Sequence, residues 1–240
     1  MTQELPEVMN GTGDLLLLCD HASDRVPDGI ELGVDPEVMA KHIAIDIGAA
    51  AVTRRLSVAL DVPAILATVS RLVIDLHREP DHDGLIPVIS DGQRIAGNEG
   101  VDRDERIARF HAPYHAAIAE QIAARRPSLI AAIHSFTPEM ESGGTARPWE
   151  IGILYNRDGR AARIALAELR KRGVVTGDNE PYSGKLLNAT LNRHAEAANI
   201  PYLSVEIRND LIRDDEGVAK WSRTVEEMLR AIGNSLASEA

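Results

Sequence analysis

The sequence predicts an α/β fold of three layers, with a mainly parallel or mixed sheet and helices on both faces, on three observations. Short apolar runs alternate with longer stretches of helical period, the pattern of successive βα units. Ionisable residues gather where the apolar runs end, as they do when ligands bind beyond the carboxyl ends of parallel strands. No internal repeat, low-complexity stretch or linker divides the chain. Its 240 residues, 44% of them hydrophobic, suffice for one sizeable core, so one domain over 1–240 is expected.

Taken in order, the expected strands are Asp14–Asp20, Pro63–Thr68, Leu72–Leu76, Ser128–His134, Trp149–Leu154 and Tyr202–Ile207. Each is a short run of aliphatic residues bounded by Gly, Pro, Asp or Ser. Pro36–Leu60 reads as one helix, with Asp35 as N-cap and Pro36 at its first position, where a missing N–H costs nothing. Further helices are expected at Pro113–Arg125, Asp158–Arg172, Lys185–Ala198 and Glu216–Leu236. The segments His77–Asp104 and Ser135–Pro148 are rich in glycine and charge, as long loops that cover or line a site are.

Composition removes several classes. A formal charge of −11 argues against a nucleic-acid or anionic-membrane partner, which needs a basic face, and 3% aromatic residues argue against a base-stacking platform. No run approaches the ~20 apolar residues of a membrane span, and the start Met1-Thr2-Gln3-Glu4-Leu5 lacks the order of a secretory signal, so the expected location is the cytoplasm. Cys19, the only cysteine, lies in an apolar run and reads as a buried strand residue without chemistry. The serine-hydrolase elbow, the phosphate-binding loop and the dinucleotide glycine fingerprint are all missing from the sequence.

Four strand ends carry the chemistry: Asp20-His21-Ala22-Ser23-Asp24, Asp75-Leu76-His77-Arg78, His134-Ser135 and Glu206-Ile207-Arg208. His21 and Asp24, three apart at a turn, together with His134 from another strand, supply two nitrogens and one oxygen. Such a set leaves a fourth position of a tetrahedral zinc ion open to water. Glu206, late on an apolar strand, is costly to bury unless it is paired, for instance to Arg208, or works as a general base. Arg71, Arg78 and Arg208 are the arginines able to hold carboxylates or polarise a carbonyl, which in a chain of this charge must act locally. His111 and His115 flank Pro113, lack the His-Glu-x-x-His pattern and read as supporting residues; Asp81-His82-Asp83 reads as a solvated turn.

These segments resemble the N-formylglutamate amidohydrolase family. The resemblance rests on Asp20-His21-Ala22-Ser23, His42 to Gly48 (HIAIDIG), Ser70 to Arg78 (SRLVIDLHR), His111 to His115 (HAPYH), His134-Ser135-Phe136 and Val205 to Leu211 (VEIRNDL). They stand in the family's order and span about Leu15 to Trp221. The resemblance implies a phosphorylase/hydrolase-like α/β fold related to zinc-dependent exopeptidases, and one zinc ion on His21, Asp24 and His134, with Asp46 the alternative carboxylate. It further implies Glu206 as base; with that core, Arg71 is expected as the oxyanion donor, and substrate contacts are expected from Arg78, Arg208, Asp75, His77, Ser135 and Asp46. Position 77 is His where the family more often has Asn, which bears on the substrate. The implied reaction is hydrolysis of a small anionic N-acyl amino acid, N-formyl-L-glutamate first, to formate and glutamate. The alternatives are a metallo-deacylase or carboxypeptidase for another N-acyl amino acid or short peptide, and a non-catalytic module binding an acidic metabolite.

Overall fold

The computed structural model describes residues 3–239. Strands β1 (Glu7–Met9) and β2 (Leu15–Cys19) precede a 3-10 turn at Pro36–Ala40, helix α1 (Ala49–Leu60) and β3 (Ala64–Leu66). A small hairpin, β4 (Ile89–Ser90) and β5 (Gln93–Arg94), leads to α2 (Arg103–Arg106), a π-turn over Ile107–His111 and α3 (Ala112–Arg125). Then come β6 (Leu129–Phe136), β7 (Ile151–Leu154), α4 (Arg160–Lys171), β8 (Thr176–Asp178), α5 (Ala189–His194), β9 (Tyr202–Arg208) and α6 (Asp215–Glu239).

Seven strands form one mixed sheet in the order β1-β3-β2-β6-β9-β7-β8. The pairs β2/β3, β2/β6, β6/β9 and β7/β8 are parallel; β1/β3 and β7/β9 are antiparallel. Every residue of β2 and β6 is buried, because these central strands are covered on both faces, and that is why they read as unbroken apolar runs. Helices α1 and α4 pack on the sheet with α6 across both, while α3 and α5 pack together, α5 touching β9. Along α6 the buried residues Trp221, Val225, Met228, Leu229 and Ile232 recur at three- and four-residue spacing, one apolar stripe on an otherwise polar helix.

Three expected elements differ. Pro36–Leu60 is not one helix. Asp35 does cap the first turn, accepting from Glu37 N–H, but the chain leaves helical geometry before Asp46, whose N–H bonds to His21 O at 3.1 Å. Gly48 then starts α1 at φ 81°, and a Cβ there would sit 2.2 Å from Ile212 O, so only glycine fits. Leu72–Leu76 is a buried series of turns rather than a strand. Its carbonyls are met by side chains: Asn98 donates to Leu72 O at 2.7 Å and Arg106 to Val73 O at 2.8 Å. The apolar run signalled burial, which a short run shares with either regular structure. Lys185–Ala198 shortens to α5 and a 3-10 turn at Glu196–Ala198. The edge strands β1 and β8 were not expected; three residues each carry too little pattern.

Candidate active site

Parallel pairing of β2, β6 and β9 delivers the ends of three strands to one edge. His134 stands opposite Glu206 in the register, and Gly152 of β7 flanks Glu206 on the other side. Asp46 enters from the loop before α1, its Oδ2 lying 3.2 Å from His21 Nδ1 and 2.8 Å from His134 Nδ1. The ligand atoms of His21, Asp46 and His134 all fall within 4.8 Å of one another.

The outer nitrogen of each imidazole is held by a further carboxylate. His21 Nε2 meets Asp75 Oδ1 at 2.7 Å and His134 Nε2 meets Asp20 Oδ2 at 3.1 Å. Such carboxylate partners orient imidazole ligands around a metal. Asp20, His77 and His134 also lie within that distance of one another. Asp20, however, already accepts from Tyr114 Oη and Thr190 Oγ1 at 2.9 Å each and approaches His77 Nδ1 at 3.1 Å, the saturation of an orienting group. Burial opposes ionisation of Asp20, Asp46 and Asp75, yet the neighbouring imidazoles, with Arg71 beside Asp46 and Asp75, prevail and hold all three below the usual carboxylate range.

Glu206 is different. It is buried, its Oε2 has no hydrogen-bond partner among the described residues, and burial raises its carboxyl to about 7. It lines a cavity of about 160 Å³ together with His21, Asp46, His134, Arg71 and Arg78. His77 and Ser135 line it too, and Phe136, Leu154, Leu187 and Tyr182 supply an apolar and aromatic wall. Arg71 bridges Asp46 at 3.1 Å and Asp75 at 2.9 Å, which fixes its guanidinium plane while a quarter of the side chain stays exposed.

Not every residue expected at the site lies in the cavity. Asp24 is exposed and lies outside both groups of converging donor atoms; the carboxylate beside His21 and His134 is that of Asp46. Arg208 does not line the cavity. It grips Asp210 at 2.8 and 3.3 Å and reaches Trp149 O at 3.5 Å. Asp75 is not among the lining residues and acts from behind them, accepting from His77 N–H at 3.0 Å besides His21 and Arg71. Asp75 and His77 belong to a turn and not to a continuation of the strand expected over Leu72–Leu76.

Tyr182 and His42 were missed, and only the fold brings them here. A Cβ on Gly152 would meet Glu180 O at 2.1 Å, so the missing side chain lets the Glu180–Pro181 strap cross β7 beside Glu206 and carry Tyr182 over the cavity. Gly152→Ala is expected to destabilise the protein by about 1–3 kcal/mol, the cost of overpacking, read by chemical denaturation. An unchanged midpoint would mean that the strap is not seated there.

A covered sheet whose strand ends gather a buried His/Asp set and a free carboxylate around a small cavity is a frame suited to hydrolysis. The family model of N-formylglutamate amidohydrolase matches residues 13–213, and the chain belongs to that family of amidohydrolases. It is similar to a gene product from Agrobacterium tumefaciens of known crystal structure, at 33% identity, TM-score 0.91, covering 98% of this chain and 96% of that one. The N-formylglutamate amidohydrolase from Ralstonia eutropha JMP134 matches at 21% identity and TM-score 0.75 over 98% and 99% of the two chains. A bacteriophage poly-gamma-glutamate hydrolase shares the fold at 10% identity and TM-score 0.51, over 95% and 89%. No curated protein matches the chain. Among the described residues no helix is long and apolar enough to cross a membrane.

Proposed function

We propose that the chain is a metal-dependent N-formyl amino acid amidohydrolase, with N-formyl-L-glutamate as the leading substrate. The observation that carries this reading is the buried, unpartnered Oε2 of Glu206 in the same cavity as the His21, Asp46 and His134 donor atoms. The residues fit a divalent ion such as zinc. Two nitrogens and one oxygen converge, both imidazoles have orienting carboxylates, and the buried acids Asp20, Asp46, Asp75 and Glu206 create a demand for positive charge. When bound, the ion would polarise the amide oxygen and make water acidic enough to attack at neutral pH.

The chain's own groups do the rest. Glu206 takes the proton of the attacking water and returns it to the leaving nitrogen as the C–N bond breaks, giving formate and the free amino acid. Arg71, held flat by two aspartates, faces the developing oxyanion. Arg78, whose nearest acid is Asp75 at 3.7 Å, grips the substrate carboxylate, with His77 and Ser135 beside it. The volume is below the roughly 300–1,000 Å³ of sites for drug-sized ligands and suits a short N-acyl amino acid.

A second substrate reading has an observation in its favour. With Arg208 turned to Asp210, the wall of Phe136, Leu154 and Leu187 favours an N-acyl amino acid with an uncharged side chain. Release of formate or another acyl acid from a panel of N-acyl amino acids, with and without added zinc, tests both readings. Arg78→Ala is expected to lower kcat/KM by about 1.5–3 kcal/mol for substrates with a carboxylate and little for a formylated amine, with Arg78→Lys restoring part. Arg208→Ala is expected to stay within about twofold, as for a surface pair. Equal losses from the two arginines would overturn this division of roles.

A further inference from the structure

The His111 to His115 motif lies outside the cavity lining, yet its side chains converge on the segment that carries Arg78. Helix α3 continues from α2 through the π-turn at Ile107–His111, an irregularity frequent at functional positions. Pro113 has no N–H for Arg109 O, and Glu4 N–H takes that carbonyl at 2.9 Å. His111 Nε2 lies 3.0 Å from Arg78 O and His115 Nε2 lies 3.0 Å from Leu76 O. His194, from α5, places its Nε2 2.8 Å from His115 Nδ1, the two rings nearly parallel, with an interplanar angle of 15° and centroids 5.1 Å apart.

The proton positions follow from these partners. A carbonyl oxygen only accepts, so Nε2 of both His111 and His115 must carry hydrogen. Neutral His115 then has a bare Nδ1, and His194 must donate to it from Nε2. Burial keeps His115 neutral, pushing it down to about 2, and lowers His194 to about 4.

We propose that His111, His115 and His194 form a hydrogen-bonded brace, ending on the carbonyls of Leu76 and Arg78, that holds the segment Asp75–Arg78 in its substrate-binding geometry. These are positioning residues. The segment has little regular structure of its own: Arg78 N–H bonds to Asp75 O at 3.1 Å and His77 N–H to the Asp75 carboxylate. Without the brace, Arg78 keeps its charge and loses its fixed origin. The role in catalysis rests on the proposed amidohydrolase reaction; the brace itself does not.

Long-range proton–nitrogen spectra of the wild-type protein test the tautomers directly, and His115 and His194 are expected to be protonated on Nε2. His115 protonated only on Nδ1 would overturn the proposal, whatever the protein hydrolyses. His115→Phe and the more peripheral His194→Phe are expected to speed amide exchange in Asp75–Arg78 at least fivefold with metal content unchanged. In any formyl amino acid assay that the wild type supports, KM is expected to rise about tenfold, equivalent to one hydrogen bond of about 1.4 kcal/mol, with kcat within about threefold. His115→Gln, which retains a donor near the Nε2 position, is expected to recover part of KM, and His115→Asn is not. Unchanged exchange in both Phe variants would overturn the brace. Absence of turnover by the wild type would overturn the amidohydrolase reading and leave the tautomer and exchange results to decide this one.

Discussion

Glu206→Gln is expected to lower kcat by about two to four orders of magnitude while the metal stays bound, the loss expected on removing a general base. Glu206 sits opposite His134 in the sheet register and lines the cavity, and its neighbour on β7 is Gly152, which has no side chain. Its Oε2 makes no hydrogen bond among the described residues, so the amide breaks no pairing seen at that atom. A fold-supporting acid would show the reverse pattern, with a lower melting temperature and a modest change in rate. Paired kcat and thermal-denaturation measurements separate the two. Activity within a few fold of wild type would assign the proton transfer to another group.

Metal occupancy is expected to be lost in His134→Ala and in Asp46→Asn, and with it essentially all turnover, whereas Asp24→Ala keeps both. His134 meets Asp46 at Nδ1 and Asp20 at Nε2, so its removal also leaves two buried aspartates short of a partner and destabilises the fold. Asp46→Asn keeps the shape and is the cleaner variant. Asp75→Asn, which weakens the support of His21 Nε2 together with the Asp75 contacts to Arg71 and His77 N–H, is expected to cost about 10–100-fold in metal affinity. Metal analysis after dialysis, with zinc titration of the chelator-treated protein, reads all four. Loss of metal in Asp24→Ala, or full occupancy in Asp46→Asn, would reverse the ligand assignment.

How legible the site was depended on whether each residue's position follows from a local pattern. His21, His134 and Glu206 sit at or near the ends of strands whose apolar runs are unmistakable, and parallel pairing of those strands brings them together. Asp24 lies apart from the two histidines, a placement the spacing could not give, because spacing says which residues are near along the chain, not which way a turn leaves the strand. Arg208 lies outside the cavity lining because its place on β9 gives its face, while Asp210 two residues on decides where the guanidinium goes. Tyr182 had no signal at all; its approach depends on the glycines under the strap it rides on.

The sequence by itself determined the layered α/β frame, the central strands, the amphipathic helices and the strand ends at which ionisable residues gather. Those properties follow from burial and periodicity, which act over a few residues and are written in residue type. Tertiary structure alone decided that Asp46 rather than Asp24 meets the two histidines, that Leu72–Leu76 is a turn fastened by Asn98 and Arg106, and that Arg208 leaves the cavity to Arg78. Each of these is a competition among polar groups for partners distant in sequence. A buried polar group must be satisfied by whichever partner the packed chain brings within about 3 Å, and that partner is known only once the layers have closed.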